Sequence, residues 1–211
     1  MSSSEEIIFY EKLQELIARQ YKSKPPSSDI KIFCGLDVAY KANKSVVAAV
    51  LWDIEKREVI EHKLLESTVS SPYIPNFFFI REAPLLLKII DHVSLTPDIL
   101  LVDGHGLAHP RKAGLAVFIG VLSGLPTIGF AKSLLVGEVE DSIGLFRRIM
   151  LNKSCVGYYV QPNESKGFYA SPGNRINIKN VKRIIQLLGP SYPIPLKEAD
   201  SLVKQWSRKH W

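Results

Sequence analysis

The chain has 211 residues, 46% of them hydrophobic, with a mean hydropathy of +0.04, enough to bury one full core without requiring a second domain. A formal charge of +6 is a weak attraction for phosphate-bearing partners, since so small an excess also suits an ordinary soluble protein. Apolar runs stay below the roughly 20 residues of a membrane span, and the polar, acidic start MSSSEE is unlike a signal peptide. Cys34 and Cys155 sit in apolar runs, with neither metal-ligand nor redox spacing. A cytoplasmic protein with no membrane association is expected.

In chain order, Ile7, Ile8, Leu13, Leu16, Ile17 and Tyr21 keep helical spacing, with Ser3 and Glu6 as a capping box, and SKPPSSD ends the helix. Strand-like runs at 30–38, 45–53 and 58–66, joined by short polar links, predict an antiparallel meander. The apolar segment 77–90 predicts a helix kinked or restarted at Pro84. A buried strand at 99–103 precedes a helix at 112–122 and a short strand at 127–130. Strands at 154–160 and 167–170 and helices at 178–188 and 197–207 complete the chain. Three antiparallel strands followed by alternating helices and strands make a mixed α/β sheet with helices on its faces, in one domain spanning 1–211 with the first 26 residues packed on it.

The stretch 96–114, TPDILLVDGHGLAHPRKAG, organises the rest. Asp103 ends the apolar run 99–102, and Gly104 and Gly106 permit a sharp turn that keeps Asp103, His105 and His109 near one mouth. Ligands gather at such carboxyl ends of buried strands, although an aspartate there also serves simply to cap a turn. Asp37 stands within the apolar run CGLDVAY, where a carboxylate is costly unless a positive group or hydrogen bond accompanies it. No fixed lysine or arginine neighbours it in sequence, so a bound metal is a plausible partner. Glu82, in FFFIREAP, is the third carboxylate. Two strand aspartates and a helix glutamate offer hard oxygens suited to magnesium or manganese, and such a site supports phosphodiester hydrolysis.

The segments GLDVAY, PYIPNFFFIREAP, PDILLVDGHGLAHPRKAG and LPTIGFAKSLLVG, in this order from Gly35 to Gly137, resemble the endonuclease V family. A weaker match runs on through SPGN and IPLKEAD. The resemblance implies a ribonuclease H-like fold and a magnesium-dependent nuclease, with manganese substituting. Its substrate would be inosine-containing DNA, nicked at the second phosphodiester 3′ to the lesion. It also implies catalytic roles: Asp37, Glu82 and Asp103 as metal ligands, Lys132 near the scissile phosphate to stabilise developing negative charge, and His109 beside the metal to orient water or substrate. Tyr73 matches the wedge, flanked by Pro72, Ile74 and Pro75. Asp200, in KEAD, matches an acidic position that supports the metal through water, at a shortened spacing from Ile194-Pro195. Gly104, Gly106, Leu107 and the loop around Gly129 are candidates for a tight base pocket. His105 is given no chemistry, and Asn174 replaces a histidine that many relatives carry, so it cannot titrate near neutrality.

A monomer without organic cofactor is expected. Three other classes stay open on sequence alone: an endoribonuclease acting on inosine-containing RNA, a metal-free nucleic-acid binding module, and an actin-like or sugar-kinase ATPase. Against the last, DVAYKANKS lacks the phosphate-cradling glycines that such a protein needs after its first strand.

Overall fold

The computed structural model describes residues 4–24, 29–69, 74–162 and 166–211. Its elements follow the order α1 (Ser4–Gln20), β1 (Ile32–Lys41), β2 (Lys44–Asp53), β3 (Glu58–Thr68), α2 (Phe78–Ile90), β4 (Ile99–Asp103), α3 (Leu115–Ser123) and β5 (Thr127–Ala131). Then come β6 (Glu138–Val139), β7 (Phe146–Leu151), β8 (Ser154–Val160), β9 (Phe168–Asn174), α4 (Ile178–Leu188) and α5 (Ile194–His210). The nine strands form one mixed sheet ordered β3-β2-β1-β4-β5-β9-β8-β7-β6. The meander β1–β2–β3 is antiparallel, β4 and β5 add parallel to β1, and β9 turns antiparallel again.

Alternation along the strands divides the core. Leu36, Leu100 and Val102 face α1, α2 and α3, where Phe79 stacks on Phe118 with centroids 3.8 Å apart. Phe33, Leu101, Ile128 and Phe130 face α4 and the start of α5 on the other side. The central strands β4 and β5 are buried on both faces, as parallel strands covered by helices must be.

Most predicted elements recur, some with shifted bounds and two as additions. The Ser3 end of the capping box, Pro72 and Tyr73 lie outside the described residues. Helix α2 runs through Pro84 instead of restarting, because Pro84 is on the exposed face, where its ring and missing N–H are tolerated. Helix α3 starts at Leu115 and not at 112, since Lys112 takes a left-handed φ of 53° that no helix interior accepts. Strand β9 extends to Asn174, accommodating Pro172 and Gly173 through a register shift against β5. Strands β6 and β7 are additions to the predicted set. Their signal was the Asn152-Lys153 pair, two left-handed residues (φ 48° and 63°) joining Leu151 to Ser154 as a tight hairpin turn. Among the described residues no helix is long and apolar enough to cross a membrane.

Candidate active site

Strand register assembles the centre. The parallel pairing of β1 with β4 ends at Leu36 opposite Val102, so the next residue of each strand, Asp37 and Asp103, come side by side at the carboxyl edge of the sheet. Asp103 in turn pairs with Phe130 of β5, and Lys132 follows two residues later. Its Nζ lies 3.3 Å from Asp103 Oδ2. Helix α2 delivers Glu82 from the other side. All four line a cleft of about 480 Å³ whose walls also include Gln14, Phe78, Gly104, His105, His109, Gly114, Leu115 and Ala131.

The carboxylates feel one another. Burial, then the neighbouring Asp103, raises the Asp37 carboxyl to about 7, with Lys132 drawing it down only slightly. Burial, then Asp37 and Asp103, raises Glu82 to about 8 against a smaller opposing effect of Arg81. Burial by itself would lower the Lys132 ammonium, but Asp103, Asp200 and Asp37 outweigh it and raise its pKa. The cation absent from the sequence around Asp37 is therefore Lys132, brought from a distant segment, while Arg81 acts on its neighbour Glu82. Arg81 stacks 4.0 Å over the Tyr40 ring.

Two carboxyls driven toward neutrality by burial and by neighbouring carboxylates form a site that a divalent cation would relieve, and their oxygens are the donors magnesium and manganese prefer. The fit is to an ion that keeps much of its water. Among the described residues no three acidic, histidine or cysteine side chains are drawn together into a ready-made metal cage. Gly35 sets the position of Asp200: a Cβ there would lie 2.3 Å from the Pro195 carbonyl, so its absence lets α5 settle directly on β1. Asp200 then acts electrostatically on Asp37 and Lys132. Its carboxylate is held by Lys204 at 2.6 Å and is not part of the cleft wall.

His109 is buried in the cleft wall with both ring nitrogens engaged by backbone. Nδ1 accepts from the Arg111 N–H at 3.3 Å, which leaves the proton on Nε2, 3.3 Å from the Asn76 carbonyl. Burial lowers its pKa to about 4, and that of His105 likewise. The charges acting on His109 are Arg111 and His105, not the carboxylates. It thus joins the Asp103 loop to the segment carrying Ile74 and Pro75. Gln14 of α1, which sequence reasoning passed over as one more helix position, reinforces this joint. Its Nε2 donates to the Asn76 carbonyl at 2.7 Å, and its Oε1 accepts from Arg111, which also pairs with Glu11.

Of the pocket candidates, Gly104 lines the cleft, whereas Gly106 and Leu107 do not. Gly106 is buried behind it, where a Cβ would meet the Pro172 carbonyl at 2.0 Å, and its N–H donates to Ser171 Oγ at 2.8 Å. Gly129 lies beneath the same turn, with no room for a Cβ beside the Gly104 carbonyl. Asn174 pairs with Thr127, at the opposite end of β5 from Lys132. Its Nδ2 donates to the Gly120 carbonyl at 2.7 Å and its Oδ1 accepts from the Lys22 N–H at 3.0 Å, a structural clamp remote from the cleft. Ile74 is half-buried against the α1–α2–α3 core, and Pro75 is exposed.

Tyr192, also unremarked in the sequence, faces the carboxylates. Its hydroxyl is buried without a hydrogen-bond partner, and burial followed by Asp103, Asp37 and Asp200 raises its pKa. Lys132 Nζ lies 5.5 Å from its ring centroid.

The family model for Endonuclease V matches residues 11–201. The chain belongs to the endonuclease V family. An endonuclease V of Saccharolobus islandicus is 40% identical over 207 residues, covering 95% of this chain and 96% of its own. The crystal structure of the endonuclease V of Streptomyces avermitilis, 29% identical, superposes with a TM-score of 0.88 over 99% of this chain and 95% of its own. The Ciona intestinalis endonuclease V, solved in complex with a 24mer DNA containing an inosine followed by a ribo-adenosine, is 23% identical. It superposes with a TM-score of 0.86, covering 98% of this chain and 99% of its own. As a member of that family the chain is a nuclease with a ribonuclease H-like fold.

Proposed function

We propose that this endonuclease V is a magnesium-dependent repair nuclease that recognises deoxyinosine in DNA. On this reading it hydrolyses the second phosphodiester 3′ to the lesion and leaves 3′-hydroxyl and 5′-phosphate ends. The observation that carries the reading is the parallel register that sets Asp37 beside Asp103 in a cleft shared with Glu82. Asp37, Glu82 and Asp103 would hold magnesium or manganese, with Asp200 supporting through water. The ion they would hold would supply an activated water and neutralise charge on the leaving oxygen. Lys132, drawn from Asp103 to the scissile phosphate, stabilises the negative charge that develops there. His109, in the cleft wall, holds the Asp103 loop against the Asn76 turn and from there orients water or substrate beside the metal.

Inosine differs from guanine in lacking an exocyclic amine. A wall of Gly104, Gly114 and Ala131 discriminates by close backbone contact with no dedicated side-chain reader. Tyr73, stiffened by Pro72 and Pro75 and continued by Ile74, fills the gap that the extruded base leaves in the stack. The protein works as a monomer in the cytoplasm.

Matched DNA and RNA strands carrying one inosine, incubated with and without magnesium, test the reading. Magnesium-dependent nicking of DNA at the second 3′ phosphodiester supports it. Turnover of RNA alone would make the protein an endoribonuclease, a reading favoured by the ribo-adenosine after the inosine in the Ciona complex. Binding without nicking of either strand would leave a non-catalytic module. Lys132→Ala should slow single-turnover cleavage more than it weakens binding.

A further inference from the structure

Cross-strand register lines up four side chains. Ala131 of β5 lies opposite Tyr169 of β9, Tyr169 opposite Tyr159 of β8, and Tyr159 opposite Arg147 of β7. Directly paired residues project from the same face of a sheet. The row begins in the cleft wall at Ala131, next to Lys132. With strands about 4.8 Å apart, it ends roughly 14 Å away at Arg147. The two tyrosine rings are 5.0 Å apart, tilted by 41°, and the Arg147 guanidinium carbon is 5.6 Å from the Tyr159 centroid. Arg147 is held in place by Nε, which donates to the Glu140 carbonyl at 3.0 Å. Tyr159 is fixed by Gly167, where a Cβ would lie 2.5 Å from its ring.

The row lies at the strand ends that α3 leaves clear. That helix packs over the opposite ends, Gly120 against Thr127 and Ala116 against Gly173, while α4 covers the other face. On that other face the neighbouring residues Phe130 and Phe168 are wholly buried, whereas Tyr169, Tyr159 and Arg147 all keep partial exposure. A fixed pair of partly exposed rings, flanked by a guanidinium and continuous with a phosphodiester-cleaving cleft, matches what an unpaired nucleic-acid strand requires. Its bases stack on aromatic faces irrespective of sequence, and its phosphates are attracted to the cation.

We propose that Tyr169, Tyr159 and Arg147 form a stacking platform for unpaired nucleotides flanking the inosine, so that the substrate strand leaves the cleft past Ala131 and runs over β9, β8 and β7. The proposal rests on the nuclease reading of the cleft and names the form of substrate served: a single-stranded or locally melted flank.

The test measures binding in calcium, so that chemistry does not intervene, using DNA and RNA oligonucleotides with one inosine. Each is prepared with long single-stranded flanks, with the 5′ flank trimmed, with the 3′ flank trimmed, and as a full duplex. The Tyr159→Ala/Tyr169→Ala protein should bind the long single strand roughly tenfold or more weakly, the loss expected from one stacked base. It should bind one of the two trimmed strands as the parent does. The Tyr159→Phe/Tyr169→Phe protein should retain parental affinity, and Arg147→Ala should weaken long strands only. Equal losses on long and both trimmed strands, an equal loss on full duplex, or no loss at all would overturn the platform. So would failure of the phenylalanine pair with its melting temperature intact. If the parent never nicks inosine strands but long-strand binding still depends on the rings, the nuclease reading falls and the platform stands. The RNA and DNA arms report which strand is preferred.

Discussion

Burial and Asp103 raise the carboxyls of both Asp37 and Glu82, and Asp37 raises Glu82 in addition, so removing the Asp37 charge should also ease Glu82. Asp37→Asn is nearly isosteric but cannot supply the charge that a divalent ion needs, so nicking should fall to background while the fold persists. Near-normal turnover at ordinary magnesium would sink the assignment. Tyr192 makes a separate prediction. A buried hydroxyl with no partner costs about 1–3 kcal/mol, and among the described residues none makes a well-formed hydrogen bond to this one, although it stands close to the Asp103 carboxylate. Tyr192→Phe should therefore raise stability in urea by about 1 kcal/mol. Loss of stability would show that the hydroxyl bonds Asp103 after all.

Among the elements, the contact between α5 and β1 sets the distance from Asp200 to Asp37, and it depends on an absent side chain. Gly35→Ala would drive a Cβ into the Pro195 carbonyl, 2.3 Å away and backed by backbone that cannot swing aside. Overpacking of this kind costs about 1–3 kcal/mol, so the denaturation midpoint should drop and α5 should shift outward. An unchanged midpoint would mean that the helix is not seated there. The loop elements make a milder prediction. Gln14→Ala removes the donor to Asn76 and the acceptor for Arg111, so it should loosen the segment before α2. Lesion-specific binding should weaken, with calcium affinity unchanged. A parallel loss of calcium affinity would place Gln14 in the metal centre.

Over the whole molecule, pH sets two groups of buried residues against each other. His105 and His109 titrate near 4 when folded against a normal 6.5. Between those values the unfolded chain binds more protons, and stability rises with pH. Asp37 and Glu82 titrate near 7 and 8 against 3.8 and 4.5. There the folded chain binds more protons, and stability falls as pH rises through the folded values. The two effects oppose each other up to about pH 6.5, and only the carboxylates act above it. In the absence of divalent ions the melting temperature should therefore decline from pH 6.5 to 8, and excess magnesium should abolish the decline. A flat profile without metal, or a decline that magnesium leaves untouched, would contradict the coupling of these carboxyls.

Local pattern was enough to read the meander, the buried strand ending at Asp103 and the helix bearing Glu82, because two-residue and 3.6-residue periodicities are properties of neighbouring residues. Ordered motifs were enough to point to the family. Register is different. That Asp37 stands beside Asp103 follows from pairing Leu36 with Val102, and a shift of one residue would turn either carboxylate to the other face. Only the tertiary structure brought Lys132 into the field of those carboxylates, removed Asn174 to the far end of β5, and put Gly106 behind the cleft wall instead of in it. Tyr192, Gln14 and the row from Ala131 to Arg147 were invisible for the same reason. Each acquires its meaning from a contact ten or more residues away along the chain, formed by packing and strand pairing that no local pattern encodes.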